Sequence, residues 1–306
     1  MPPIVIAHRG ASGHRPEHTL AAYELAARQG ADYIEPDLVS TRDGHLVTRH
    51  ENEISGTTDV AERPQFAGRR TTKAIDGSSM DGWFTEDFTL AELKTLRAKE
   101  RIPALRPGNA EHDGRYEIPT FQEVIDLAAR LVVGIYPETK HPAYHRSIGL
   151  PLEPGLVAAL RRGGLDDPGA NVFVQSFEAE NLRALRDELA VPLVQLLGPR
   201  AAVTPEALRS IAGYADAVGP SKLHIVPRDA AGASLPATSF VEDAHRARLL
   251  VHPYTFRREN AFLPAELRAG DDPAAAGDLT AELRQFFALG VDGVFSDFPD
   301  AAVNAR

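Results

Sequence analysis

Cysteine is absent from this chain of 306 residues, and there are only two methionines and one tryptophan. Without cysteine there is no disulfide, no zinc–thiolate site and no thiol nucleophile. No run reaches the roughly 18 apolar residues that suggest a membrane-spanning helix. The N-terminus MPPIVIAHRG enters a strand-like segment at once and lacks the apolar core of a signal peptide. The expectation is a soluble chain with no membrane span and no signal peptide in it. Net positive charge is also missing: the formal charge is -10. Non-specific nucleic-acid and anionic-membrane binding both need basic surface, so neither partner is expected. No serine nucleophile elbow, P-loop, HExxH or GxGxxG turn after the first strand is present.

What is there is a series of short apolar runs: 4–8, 32–38, 132–138, 171–175, 193–197, 216–219, 249–253 and 292–296. They are apolar on both faces and bounded by Gly, Pro or Asp, as buried parallel strands are. Helix signals fill most of the gaps. Thr120 and Glu123 form a capping box. Thr204 precedes Pro205 as an N-cap with proline at the first helical position. Leu279, Leu283, Phe286 and Phe287 make a stripe that closes at Gly290, and Thr19 opens a helix that closes at Gly30. Eight strands alternating with helices predict an α/β fold, a (β/α)8 TIM barrel, with a doubly wound open sheet as the alternative. The chain reads as one domain, 1–306. Residues 51 to about 118 are too long and charged for a plain loop, so an inserted subdomain is expected after the second barrel strand. Met80, Trp83, Phe84 and Phe88 are its expected small core. Residues 257–278 are a second break in the alternation, with AGDDPAAAGD (269–278) reading as a mobile surface loop.

Several strand-like runs end in an acid or an imidazole: His8, Glu35 with Asp37, His50 and Glu138. Packing does not ask for charge there, and burying it is costly unless it binds something. Glu35 and Asp37 stand two apart, so on a strand both carboxylates project to one face. Two facing carboxylates repel unless a cation lies between them, and hard divalent ions favour oxygen ligands. Glu138 is the third candidate ligand. The bland reading, acids paired with Arg or Lys at a barrel rim, would win for a lone acid but not for three. His8 and His50 suit proton transfer near neutral pH, and His252 is a further candidate. His14, His18, His45, His112, His141, His145, His224 and His245 read as surface or structural. Arg9 and Lys140 complete a phosphate clamp, unless they simply pair with the acids. The residues alone point to metal-assisted attack on a phosphate ester.

The stretch from His8 to His50 resembles the opening of the glycerophosphodiester phosphodiesterases: His8-Arg9-Gly10, Pro16-Glu17-His18-Thr19, Glu35-Pro36-Asp37 and His50-Glu51. IYPETK (135–140), FVQSF (173–177), VHPYTF (251–256) and GVFSDFPD (293–300) extend the likeness over nearly the whole chain. His18 stands where that pattern has Asn, and Glu51 where it has Asp, which puts fine positioning in question and not the reaction class. The insertion looks like the periplasmic or secreted branch, so a processed form there is one expectation and the cytoplasm the other. The resemblance implies a TIM barrel and one divalent ion, Ca²⁺ or else Mg²⁺, on Glu35, Asp37 and Glu138. It implies His8 and His50 as the acid–base pair and Arg9 and Lys140 on the phosphate. Gln175 and His252 would line the pocket. The implied reaction turns small glycerophosphodiesters, such as those of choline and ethanolamine, into sn-glycerol 3-phosphate and an alcohol, through a cyclic phosphate. The rivals are a phospholipase-type or lysophospholipase D activity, and a non-catalytic binding or adhesin protein on the same fold.

Overall fold

The computed structural model describes residues 2–306. Its strands in chain order are β1 (Ile4–His8), β2 (Tyr33–Glu35), β3 (Asp37–Ser40), β4 (Leu46–Thr48), β5 (Thr71–Ile75), β6 (Ser78–Gly82) and β7 (Gly134–Ile135). They continue with β8 (Glu138–Thr139), β9 (Val174–Ser176), β10 (Leu193–Leu197), β11 (Ala217–Pro220), β12 (Leu250–Val251) and β13 (Gly293–Ser296). The parallel order runs β13-β1-β2-β7 on one side and β12-β11-β10-β9-β8-β3 on the other. β2 and β3 are one stave interrupted at Pro36, and β7 and β8 are one stave interrupted before Glu138. Asp292 N donates to Val251 O at 2.9 Å and Phe295 N to Pro253 O at 3.0 Å, which joins β12 to β13 and closes the ring. The result is an eight-staved TIM barrel.

The two interruptions have a simple cause. Proline carries no N–H and cannot donate to a ladder. It keeps its carbonyl, and both prolines use it: Glu138 N donates to Pro36 O and Gln175 N to Pro137 O, each at 2.9 Å. Register therefore survives the breaks. His8 lies level with Glu35, and Asp37 lies level with Glu138, which lies level with Gln175. The strand-end residues form two adjoining rows at the C-terminal mouth, where barrel enzymes carry their chemistry.

Helices cover the outside as the capping signals require. Thr120 and Glu123 make a complete capping box on helix Phe121–Leu131, and Thr204 caps Pro205–Ile211. Leu279, Leu283 and Phe286 are buried in Leu279–Ala288, with Phe287 half-buried. Inside the barrel, below the mouth, Tyr136 stacks on Phe173 at 5.0 Å and meets Phe295 edge-on at 5.1 Å. That aromatic layer is a floor: it seals the barrel and leaves the mouth as the site.

β4 runs antiparallel to β3, so the run before His50 is a hairpin return and not a barrel stave. Segment 51–118 follows. Trp83, Phe88, Phe66, Ile54 and Leu96 pack together with Val39 and Val47 of the hairpin, so this small core is anchored on the barrel. Phe84 is buried outside that cluster and Met80 is half-buried. Residues 257–278 differ from a free loop. The Asn260 side chain donates to Ala269 O at 3.0 Å and Asp272 O at 2.8 Å and accepts from Ala269 N at 2.9 Å, tying the loop from within.

Candidate active site

Glu35, Asp37 and Glu138 are buried, and one oxygen from each lies within 4.8 Å of the others. Burial, followed by Asp37 and Glu138, pushes the Glu35 carboxyl well above its ordinary range. Burial likewise pushes Glu138 up to about 8, against the opposing pull of Lys140. Asp37 goes the other way: burial would raise it, but Lys140 and His18 outweigh that and hold it well below its usual range. Asp37 Oδ1 and Gln175 Oε1 are buried without a hydrogen-bond partner among the described residues. Three buried carboxylates, two of them driven toward the neutral form, and orphaned oxygens beside them are the donor set a hard divalent cation takes.

Arg9 and Lys140 both pair with these acids and line the cavity above them. Lys140 Nζ stands 2.7 Å from Glu138 Oε1 and 3.5 Å from Asp37 Oδ1. Arg9 Nη1 donates to Glu17 Oε2 at 2.9 Å, and its Nε is 3.6 Å from Asp37 Oδ2. Arg9 sits at φ 60°, which aims its backbone N–H at Glu35 Oε2 at 2.8 Å. A non-glycine residue is held in that left-handed region only by its surroundings.

Each candidate histidine is tied by one nitrogen. His8 Nδ1 meets Asp297 Oδ1 at 2.6 Å, and His50 Nδ1 meets Glu51 Oε1 at 2.5 Å. A carboxylate acceptor fixes the proton on Nδ1 and leaves Nε2 free for chemistry. Burial and then Arg9 lower His8 to about 4; burial, Arg9 and Lys140 lower His50 to about 3. His8, Arg9, Glu35, His50, Glu138, Lys140 and Gln175 all line one cavity of about 420 Å³. Asp37 lies just beneath it.

His252 departs from expectation. It does not line the cavity: its Nδ1 meets Tyr136 OH at 2.8 Å and its ring packs edge-on against Phe173 at 5.4 Å. It belongs to the floor, one layer below the mouth, because its stave runs on past it to Tyr254 and Phe256.

Four residues had no role assigned or a bland one. His18 is fully buried, with Nε2 2.8 Å from Asp37 Oδ2 and Nδ1 2.7 Å from Tyr23 OH. Asp297 directly follows β13, in the same strand-end acid pattern that flagged Glu138. Arg101 and Arg106 come from segment 51–118. Arg101 grips Glu51 (Nη2 to Oε2, 2.7 Å) and Glu17 (Nε to Oε2, 2.8 Å). Arg106 grips Asp297 (Nη2 to Oδ2, 2.6 Å) and Glu259 (Nε to Oε1, 2.5 Å). His18→Ala removes a hydrogen-bond partner from each of two buried groups, Asp37 Oδ2 and Tyr23 OH, at about 1–3 kcal/mol each. Urea denaturation should show a loss of that size, and His18→Asn, which tolerates φ 55°, should recover part of it.

The family model of the glycerophosphoryl diester phosphodiesterases matches residues 8–301. The chain belongs to this family. A glycerophosphodiester phosphodiesterase of Arabidopsis thaliana is 36% identical over 99% of this chain and 85% of its own length. One from Haemophilus influenzae is 30% identical over 98% of this chain and 88% of its own. Among solved structures, an Oleispira antarctica phosphodiesterase in complex with the product sn-glycerol-3-phosphate superimposes with a TM-score of 0.66. It shares 23% identity, covering 99% of this chain and 96% of that one. As a glycerophosphoryl diester phosphodiesterase family member the chain is a phosphoric diester hydrolase. No helix among the described residues is long and apolar enough to cross a membrane.

Proposed function

We propose that the protein hydrolyses glycerophosphodiesters to sn-glycerol 3-phosphate and an alcohol, with a divalent ion on Glu35, Asp37 and Glu138 and proton transfer by His8 and His50. The observation that carries this reading is one cavity lined by Glu35 and Glu138 of the three clustered carboxylates, by the Arg9–Lys140 pair and by two histidines each oriented by its own carboxylate. The product bound to the Oleispira antarctica phosphodiesterase agrees with it.

When bound, the ion supplies charge neutralisation and polarisation at the phosphate. Ca²⁺ suits an all-oxygen set of this kind, and Mg²⁺ is the alternative. Arg9 and Lys140 lie beside that position to hold the non-bridging oxygens. One histidine removes the proton of the glycerol 2-hydroxyl as that oxygen attacks phosphorus. The other gives a proton to the departing alcohol oxygen as its P–O bond breaks. The five-membered cyclic phosphate is then opened by water, with the two histidines exchanging roles, which restores both protons. Their Nδ1–carboxylate bonds keep Nε2 aimed for this work.

The whole 306-residue chain acts in this reading as one catalytic unit. Segment 51–118 is an insertion that delivers Arg101 and Arg106, which grip the carboxylates behind His50 and His8 respectively. A substrate with hydrogen in place of the glycerol 2-hydroxyl tests the chemistry, because it has no internal nucleophile. Release of its head-group alcohol should fall below detection in a ³¹P NMR assay while it still inhibits competitively. Turnover near that of the natural diester would rule out the cyclic route.

A further inference from the structure

Glu35, Glu138, Arg9 and Lys140 line one part of the cavity. A second stretch of its wall is basic: Lys222, Arg228 and Arg257 all line it. Two acids answer them. Lys222 Nζ is spent on Glu282, at 2.7 and 3.0 Å. Arg228 uses only Nη2, on Phe262 O at 2.9 Å and Glu282 Oε1 at 3.1 Å. Arg257 uses only Nε, on Asp297 Oδ2 at 2.9 Å. Among the described residues, each of these guanidinium groups keeps two nitrogens without a protein partner. Both meet at Phe262, whose ring Arg257 covers at 4.6 Å and whose carbonyl Arg228 holds, so they form one patch.

The aromatic rings of the cavity point the same way. A quaternary ammonium is recognised by open aromatic faces. Here Phe262 already carries Arg257 and Phe177 lies under Lys140 Nζ at 5.7 Å. Those two rings carry the protein's own cations, and a choline group would add a like charge beside two arginines. A phosphodiester brings one negative charge, which the ion, Arg9 and Lys140 already answer. The second wall is left facing the head group.

We propose that Arg228 and Arg257 form a head-group subsite that selects diesters whose head group carries its own phosphate or carboxylate over those with a cationic one. This rests on the glycerophosphodiester reading above. Three substrates separate the terms: glycerophosphoinositol 4-phosphate, glycerophosphoinositol with the same ring and no second phosphate, and glycerophosphocholine. The metal-loaded enzyme should show kcat/KM falling in that order, with about tenfold between the first two, the effect of one well-placed charge pair. Arg228→Gln should shrink that tenfold to within about threefold and Arg228→Lys should keep most of it. Arg257 is unsuitable for substitution because it also supports Asp297. If Arg228→Gln does not fold, a salt titration of the wild type decides: the ratio should fall toward one as salt screens the wall. An anionic-to-neutral ratio at or below one overturns the proposal, as does a ratio that Arg228→Gln, or salt, leaves unchanged. If none of the three substrates yields glycerol 3-phosphate, the reading of the reaction has failed instead.

Discussion

Replacing Glu35 by Gln should abolish turnover and, at the same time, make the metal-free protein more stable. The two effects have one origin. Glu35 is buried against Asp37 and Glu138, and its carboxyl is pushed far up by burial and by those neighbours. In the absence of an ion the cluster is a liability, so a neutral isostere relieves it. With an ion the order reverses. A ligand present at a hundred times its Kd adds about 2.7 kcal/mol to the folded state. Wild type should therefore gain several degrees in Tm on addition of Ca²⁺, and Glu35→Gln should gain little. Differential scanning calorimetry with EGTA and with Ca²⁺ reads both. The pH dependence follows with its sign. Glu138 rises from 4.5 to about 8 in the fold, so its contribution is favourable at low pH. It is lost as pH climbs from 4.5 through 8. Chelated wild type should lose stability over that window. Metal binding should tighten over the same window, because the ligands must ionise to bind. A Glu35→Gln protein less stable than wild type in EGTA would show that the cluster is a satisfied ion-pair network and not a metal seat.

The second large effect concerns the histidines. His8→Ala and His50→Ala should each lower kcat by about 10²–10⁴, the usual weight of a positioned acid or base, with KM little changed. The double variant should fall far short of the product of the two, since both serve one proton circuit. Arg101 offers a finer form of the same experiment. It touches Glu51 and Glu17, and through them His50 and Arg9. Arg101→Met should cut kcat about tenfold in the wild-type background, the worth of one charge-assisted contact. In a His50→Ala background it should cost less, because part of its action passes through that ring. Full additivity in the double-mutant cycle would leave Arg101 a merely structural residue.

The buried acid cluster was readable in the sequence because its signal is local. Glu35 and Asp37 are two apart, Glu138 ends a strand, and burial of charge at strand ends has few explanations other than a ligand. The barrel was readable because short doubly apolar runs alternate with capped helices. The supporting residues were not readable, and the reason is distance along the chain. Arg106 meets Asp297 across 191 residues and Arg101 meets Glu17 across 84, from a segment with no periodicity to place it. His18 looked like a turn residue ahead of a helix, and nothing local says that its ring turns inward onto Asp37. His252 was misplaced by one layer: ending a strand-like run does not say how high that stave reaches. Asp297 was within reach, since an acid directly after an apolar strand is the pattern that identified Glu138.

The most direct measurement is turnover of glycerophosphoglycerol to glycerol 3-phosphate, followed by a coupled dehydrogenase assay, in enzyme stripped with EGTA and then titrated with Ca²⁺ or Mg²⁺. Stripped wild type should be inactive, one equivalent of bound ion should restore it, and Glu35→Gln should not be restored at any ion concentration. Full activity of the stripped enzyme, or restoration of Glu35→Gln to wild-type turnover, would contradict a metal-dependent reaction.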